Sequence, residues 1–285
     1  MCMNEVTFLS NKNIFGEEKI DIIKKYGQMS SVTDFYLLQN GFVLNGFHVN
    51  GFLLDNRTGL YFTSSSYNDD SVYIVDHRGC KSVLSNIRRN CGVRPVLLWD
   101  LLKDPRVREP IHEIKYGEYP QTIVDDFTMI KLESIYQNNE LEETGKKYTV
   151  DNSHNINSNA IFMPKDIIEY YYNGHKYIRF KTCNIDYCGN RLSNGRIIRE
   201  NSVYWVKVEP IEWIVDFKTG LMLSKKILLA GIQYNNYKKS NTNFKESDIY
   251  NYLNKYFSKE IITSNFSTIL DINSCSSSKQ LVKIR

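Results

Sequence analysis

Hydrophobic and polar positions along this chain of 285 residues fall into two rhythms, one of helical spacing and one of strand-like runs. From Gly16 to Gly27 the spacing predicts a short helix. Ile20, Ile22 and Ile23 give its apolar face, Glu17 and Glu18 lie in its first turn, and Lys24 and Lys25 precede the Gly27 stop, in agreement with the helix dipole. Ser31 or Thr33 is placed to cap a second helix running to Leu38. Asp125 to Gln137 predicts a third helix. Ser247 to Phe257 predicts a fourth, with Ile249, Tyr250, Leu253, Tyr256 and Phe257 at helical spacing. Strand-like runs occur at Leu60–Phe62, Ser71–Val75, Ser82–Ile87, Val93–Trp99, the Tyr119-Pro120-Gln121 segment, Val203–Val208, Glu209–Val215 and Leu221–Leu229. Tyr170 to Lys181 reads as a hairpin around Asn173-Gly174, and Asn194-Gly195 repeats that turn signal. Gly41, Gly46, Gly51 and Gly59 predict turns between short strands, and the polar stretch from Asn138 to Asn159 predicts an exposed loop. The expected fold class is α+β, β-rich, with mixed or antiparallel sheets and a few short helices.

The sharpest punctuation lies between Gly92-Val93-Arg94-Pro95 and Tyr119-Pro120-Gln121, where Lys103 to Pro110 is charged and broken by proline. It predicts an N-terminal unit over 1–102, a connector over 103–112, a β-rich unit over 113–260 and a tail over 261–285. The alternative is one circularly permuted domain over 1–260. A net charge of +4, with charges mixed along the chain, points away from a nucleic-acid or membrane surface. Twenty Tyr beside three Trp, with abundant Asn, Lys and Ile, is also what the codon bias of an AT-rich genome produces, as expected for a low-GC bacterium or its mobile elements, so Lys and Asn carry little weight as evidence of function. No apolar run approaches the roughly 20 residues of a membrane helix, and the opening segment lacks a secretory pattern. Six irregularly spaced Cys in a chain of this size favour reduced thiols and a cytoplasmic protein.

Several motifs together resemble an uncharacterised bacterial domain family. In the second half these are Tyr119-Pro120-Gln121, Glu209-Pro210-Ile211-Glu212-Trp213, Leu221-Met222-Leu223-Ser224 and the Ile-x-x-x-Leu-Asn helix from Ile249 to Asn254. In the first half they are Thr33-Asp34-Phe35, Tyr61-Phe62-Thr63-Ser64-Ser65 and Gly92-Val93-Arg94-Pro95. In that family the Tyr-Pro-Gln part comes first and the Gly-Val-Arg-Pro part last, so the order here is reversed. The closing motif also resembles C-type-lectin-like and formylglycine-enzyme-like sheets, which implies a lectin-like first half. The family carries no established catalytic residue, so the resemblance implies no activity.

Candidate sites read from the residues are few. Arg94 suits either an anion clamp or a fork that ties a strand to carbonyls. Asp76, His77 and Cys80 form either a nucleophilic site or, with Asp-His-Arg-Gly, a turn between strands. Cys183 and Cys188 with His175 lack the second cysteine pair of a structural zinc site, and Thr144-Gly145-Lys146-Lys147 lacks the residues of a phosphate loop. No catalytic residue, metal or cofactor is assigned. The expected function is a non-enzymatic binding or protein-interaction module for an unknown protein, small-molecule or glycan ligand, with Arg94, Asp76 and His77 as ligand contacts. Two alternatives stand beside it. One is an enzyme with a site assembled between the halves. The other is a nucleic-acid binder using Lys225, Lys226, Lys238, Lys239 and Lys245 as one face.

Overall fold

The computed structural model describes residues 5–41, 48–49, 52–53, 57–88, 90–99, 102–104, 106, 108–151, 162–182, 191–236 and 238–261. The chain opens with β1 (Val6–Thr7), α1 (Asn11–Phe15), α2 (Asp21–Tyr26) and α3 (Asp34–Leu38). It continues through β2 (His48–Val49), β3 (Phe52–Leu53), β4 (Tyr61–Asn68), β5 (Ser71–Val75), β6 (Lys81–Ser85) and β7 (Val96–Leu98). Then come β8 (Ile111–Ile123), α4 (Asp126–Gln137), β9 (Glu142–Asp151), β10 (Pro164–Tyr172), β11 (His175–Lys181), β12 (Val203–Asp216) and β13 (Leu221–Ser224). The described chain closes with α5 (Asp248–Tyr252), a π-helical turn (Leu253–Phe257) and α6 (Ser258–Ile261). The fold is α+β and β-rich, with antiparallel sheets and few short helices.

Local chemistry explains most helix boundaries. Ser10 and Asn13 form a reciprocal capping box on α1. Asp21 begins α2 and Lys24 and Lys25 end it, but the helix starts later than the Glu17–Glu18 pair suggests. The Thr33 hydroxyl accepts from the Tyr36 N–H at 3.0 Å and donates to the Leu228 carbonyl at 2.8 Å, so it both caps α3 and docks it. All five α3 residues are buried. Asp125 caps α4 through the Thr128 N–H.

Strand β12 is the hub of the main sheet. β8 pairs along one edge from Val206 to Asp216, so β11 at Val203–Val208 and β13 at Trp213–Asp216 occupy the other. The path then runs through β10 to β9 on one side, and through β7 to β1 on the other. Strands from both sides of the 103–112 connector therefore share one sheet. The Val203–Val208 and Glu209–Val215 runs are one continuous strand, with register shifts beside Val208 and Pro210 that accommodate the proline. The expected loop over Asn138–Asn159 instead contains β9. Its Tyr148, Thr149 and Val150 are buried, while its earlier residues apart from the half-buried Lys146 are exposed, so the polar composition hid the strand. Gly46 and Gly51 lie outside the described residues.

The buried core takes residues from both halves. Phe35 of α3 meets the rings of Tyr119 and Phe180 edge-on at 5.9 and 5.5 Å, and Phe8 meets Phe244 at 5.2 Å. Gly92 lies where Tyr36, Ile227 and the Leu60 carbonyl converge, and a Cβ there would collide with all three.

Candidate functional site

Of the three residues expected as ligand contacts, the side chains of Arg94 and Asp76 are held by protein groups, and His77 is held through its backbone carbonyl. Arg94 is 3 % exposed, and its Nε donates to the Ser224 carbonyl at 3.0 Å. Its Nη1 donates to the Gln28 carbonyl and to the Tyr61 hydroxyl, each at 3.3 Å, and the guanidinium stacks 5.3 Å above the Tyr61 ring. Around it, Val93 and the Leu228–Leu229 segment exchange backbone hydrogen bonds, and the Ser224 N–H donates to the Pro95 carbonyl. The Gly-Val-Arg-Pro motif thus stitches β7 to the segment following β13.

Asp76 organises the tight turn between β5 and β6. Its carboxylate accepts from the N–H groups of Arg78 and Cys80 at 2.9 and 2.8 Å, and from the Arg78 guanidinium at 2.8 and 3.1 Å. Burial pushes its pKa up, but these hydrogen bonds outweigh burial and hold it below the usual carboxylate range. His77 sits beside it with its carbonyl accepting from the Thr58 hydroxyl. Burial lowers the imidazole pKa, the Asp76 charge opposes that shift, and Arg78 reinforces it. Both Arg94 and this turn touch the Gln28–Met29 segment, Arg94 through a hydrogen bond and Gly79 through close packing.

Lys225, Lys239 and Lys245 of the nucleic-acid alternative are paired with carboxylates. Lys225 reaches Glu113 at 2.8 Å and Glu212 at 3.3 Å, Lys239 reaches Asp248, and Lys245 lies 3.8 Å from Glu5. Cys183 and Cys188 lie outside the described residues.

A different surface stands out. α4 has two apolar stripes, whereas the sheet covers only one. Met129 and Leu132 are buried, while Phe127 and Ile130, three residues apart on another face, are 77 % and 69 % exposed. Beside Ile130 runs an open groove of about 410 Å³, whose walls include Met129, Ser134, Gln137, Arg196, Val203 and Trp205. Its base is rigid. The rings of Tyr136, Tyr170 and Trp205 meet mutually edge-on at 5.7 to 5.8 Å. Arg179 lies 4.6 Å over Tyr136 and grips Glu133 through two hydrogen bonds of 3.0 and 2.8 Å. The Trp205 indole N–H and the Gln137 amide each donate to the same carboxylate at 2.9 Å. Chiefly through the Arg179 hydrogen bonds, the Glu133 pKa falls to about 2 against the opposing pull of burial. A carboxylate so saturated stays ionised at neutral pH and serves as a brace, not as an acid or base. At the lip, Arg196 pairs with Asp126 at 2.5 Å and directs its Nη1 to the Met129 sulfur at 2.9 Å.

Sequence reasoning did not find this surface, because which face of the helix stays exposed depends on how the sheet covers it. Its signal was present, since Phe127 and Ile130 lie off the stripe defined by Met129 and Leu132 in the Asp125–Gln137 helix. No family model, no curated protein and no solved structure matches the chain.

Proposed function

We propose that this chain is a non-enzymatic binding module whose contact surface is the groove beside α4. The observation that carries the reading is the exposed Phe127–Ile130 pair next to a preformed, mostly apolar groove on a braced aromatic base. Solvated apolar side chains on a well-capped helix give free energy when covered, and the Glu133–Arg179–Trp205 brace means little ordering is needed at binding. The ligand class that suits this surface is a peptide or protein segment with two bulky apolar side chains, flanked by groups that bond to Ser134, Gln137 or Arg196. The resemblance to the bacterial family in reversed order belongs to the same proposal. The pairing of β7 with β13 supports reading 1–260 as one permuted unit.

Selection of a random peptide library on the folded chain tests this reading. Enriched peptides are expected to carry paired apolar residues and to bind the F127D/I130D double variant at least ten-fold more weakly. Failure to enrich any sequence, or equal binding to the variant, overturns it. Because both side chains are solvated, the variant keeps the fold.

A further inference from the structure

Among the described residues, the helical stretch from Asp248 to Ile261 closes both ends of the main sheet, and the two closures use different chemistry. At the β1 end, the Asn254 amide replaces a missing neighbouring strand. Its Oδ1 accepts from the Val6 N–H at 3.0 Å and its Nδ2 donates to the Val6 carbonyl at 3.1 Å. At the β9 end, the outward groups of Thr149 are served by two side chains. The Thr149 N–H donates to Glu260 Oε1 at 2.7 Å, and its carbonyl accepts from the Tyr252 hydroxyl at 2.9 Å. β8 is met as well. Gly117 adopts φ of +64° where the Ile261 carbonyl presses in, a position that no residue with a Cβ could take.

Glu260 is 7 % exposed, and among the described residues its Oε2 has no hydrogen-bond partner. A carboxylate so placed is costly when ionised, because one oxygen loses water and gains no donor. The groups facing it include the hydroxyls of Thr149 and Tyr148 from β9, Tyr119 from β8 and Tyr252 from α5, with the charges of Lys146 from β9 and Asp166 from β10. The Lys146 ammonium is itself buried over the Tyr148 ring at 5.0 Å and, among the described residues, has no hydrogen-bond partner.

We propose that the closing helix is a proton-dependent clasp, which holds the β9 edge while the Glu260 carboxyl is neutral and loosens there when it ionises, with the β1 closure unaffected. Burial, opposed by the Thr149 hydrogen bonds and by Lys146 and reinforced by Asp166, lifts the Glu260 pKa from 4.5 to about 7. The transition therefore falls near neutral pH. Loosening frees the N–H and C=O of Thr149, so the clasp controls access to a sheet edge that could take up a further strand.

Carbon-detected NMR of the full chain tests this in two measurements. The side-chain carboxyl of Glu260 is expected to titrate near pH 7, and a midpoint below about 5 overturns the proposal. Amide exchange at Thr149, normalised to the intrinsic rate, is expected to lose protection by roughly ten- to a hundred-fold between pH 5.5 and 8.5, following the change in proton occupancy. The Val6 amide is expected to hold its protection over the same range. In Glu260→Gln, which keeps the Oε1 acceptor, the loss at Thr149 is expected to vanish. Protection at Thr149 independent of pH in the native chain, or an equal loss in the Gln variant, overturns the clasp. If the variant does not fold, the titration and the native exchange profile decide the matter alone.

Discussion

The β1 and β9 ends of the sheet pose the same physical problem and receive unlike solutions. Each leaves a backbone N–H and C=O facing away from the last ladder, and each lies against the same closing helix. At β1 one neutral amide serves both groups, with nothing to titrate. At β9 a buried carboxyl and a phenol divide the task, and among the described residues one oxygen of the carboxyl has no donor. The difference teaches that satisfying a sheet edge and fixing it permanently are separate matters. An amide closes an edge at any pH, whereas an under-donated carboxyl makes closure conditional on a proton.

Removing the neutral closure is expected to give the largest effect. Asn254→Ala strands the N–H and C=O of Val6 and is expected to lower unfolding free energy by about 2–4 kcal/mol at every pH, measured by urea denaturation. A loss that varied strongly between pH 5 and 8 would erase the contrast between the two ends.

The acidic closure gives a smaller and conditional effect. Because the folded state raises the Glu260 pKa above its unfolded value, the stability tied to its proton is complete below about 4.5 and is lost as pH climbs through about 7. Glu260→Gln is therefore expected to be close to the native chain at pH 5 and more stable by about 1–3 kcal/mol at pH 8.5. Equal stability at pH 8.5 in the same denaturation series would show that the carboxyl is not strained there.

Glu133 sharpens the comparison from the opposite direction. Its pKa is depressed, so its contribution is present above 4.5 and lost as pH falls toward about 2. With about a third of the side chain exposed, the contribution is discounted to about 1–2 kcal/mol. Acid titration of stability, followed by near-ultraviolet circular dichroism of Trp205, is expected to show this loss in the native chain and not in Glu133→Gln. Smallest of all, F127D/I130D is expected to shift unfolding free energy by under about 0.5 kcal/mol in the same urea assay, since both side chains face water. A larger loss would mean that the stripe packs against something in the folded chain.

Legibility in the sequence followed locality. Thr33 as the α3 cap, Asp125 as the start of the α4 segment and Asn173-Gly174 as the β10–β11 turn act on residues within four positions, so their spacing alone carried them. β9 was unreadable because its polar stretch becomes a strand only when β10 pairs with it and the closing helix covers Tyr148 to Val150. The α4 groove was half legible. The second apolar stripe was visible, but its exposure depended on which face the sheet would cover. Glu260 had no local signal, because its donor, Thr149, lies 111 residues away.

By itself the sequence determined the α+β class, the Thr33 cap, the Asn173-Gly174 turn, several of the strands and the motifs at Gly92–Pro95 and Ile249–Asn254, but not β1, α1 or its Ser10 capping box. Only the tertiary structure decided that β7 joins β13 across the connector and that Asn254, Tyr252 and Glu260 serve sheet edges far away in the chain. It also decided that Arg94 is gripped by the Ser224 and Gln28 carbonyls and the Tyr61 hydroxyl. The physical reason is one of range. Caps and turns are satisfied by near neighbours, whereas an open sheet edge or a buried charge is satisfied by whatever the folded chain brings against it.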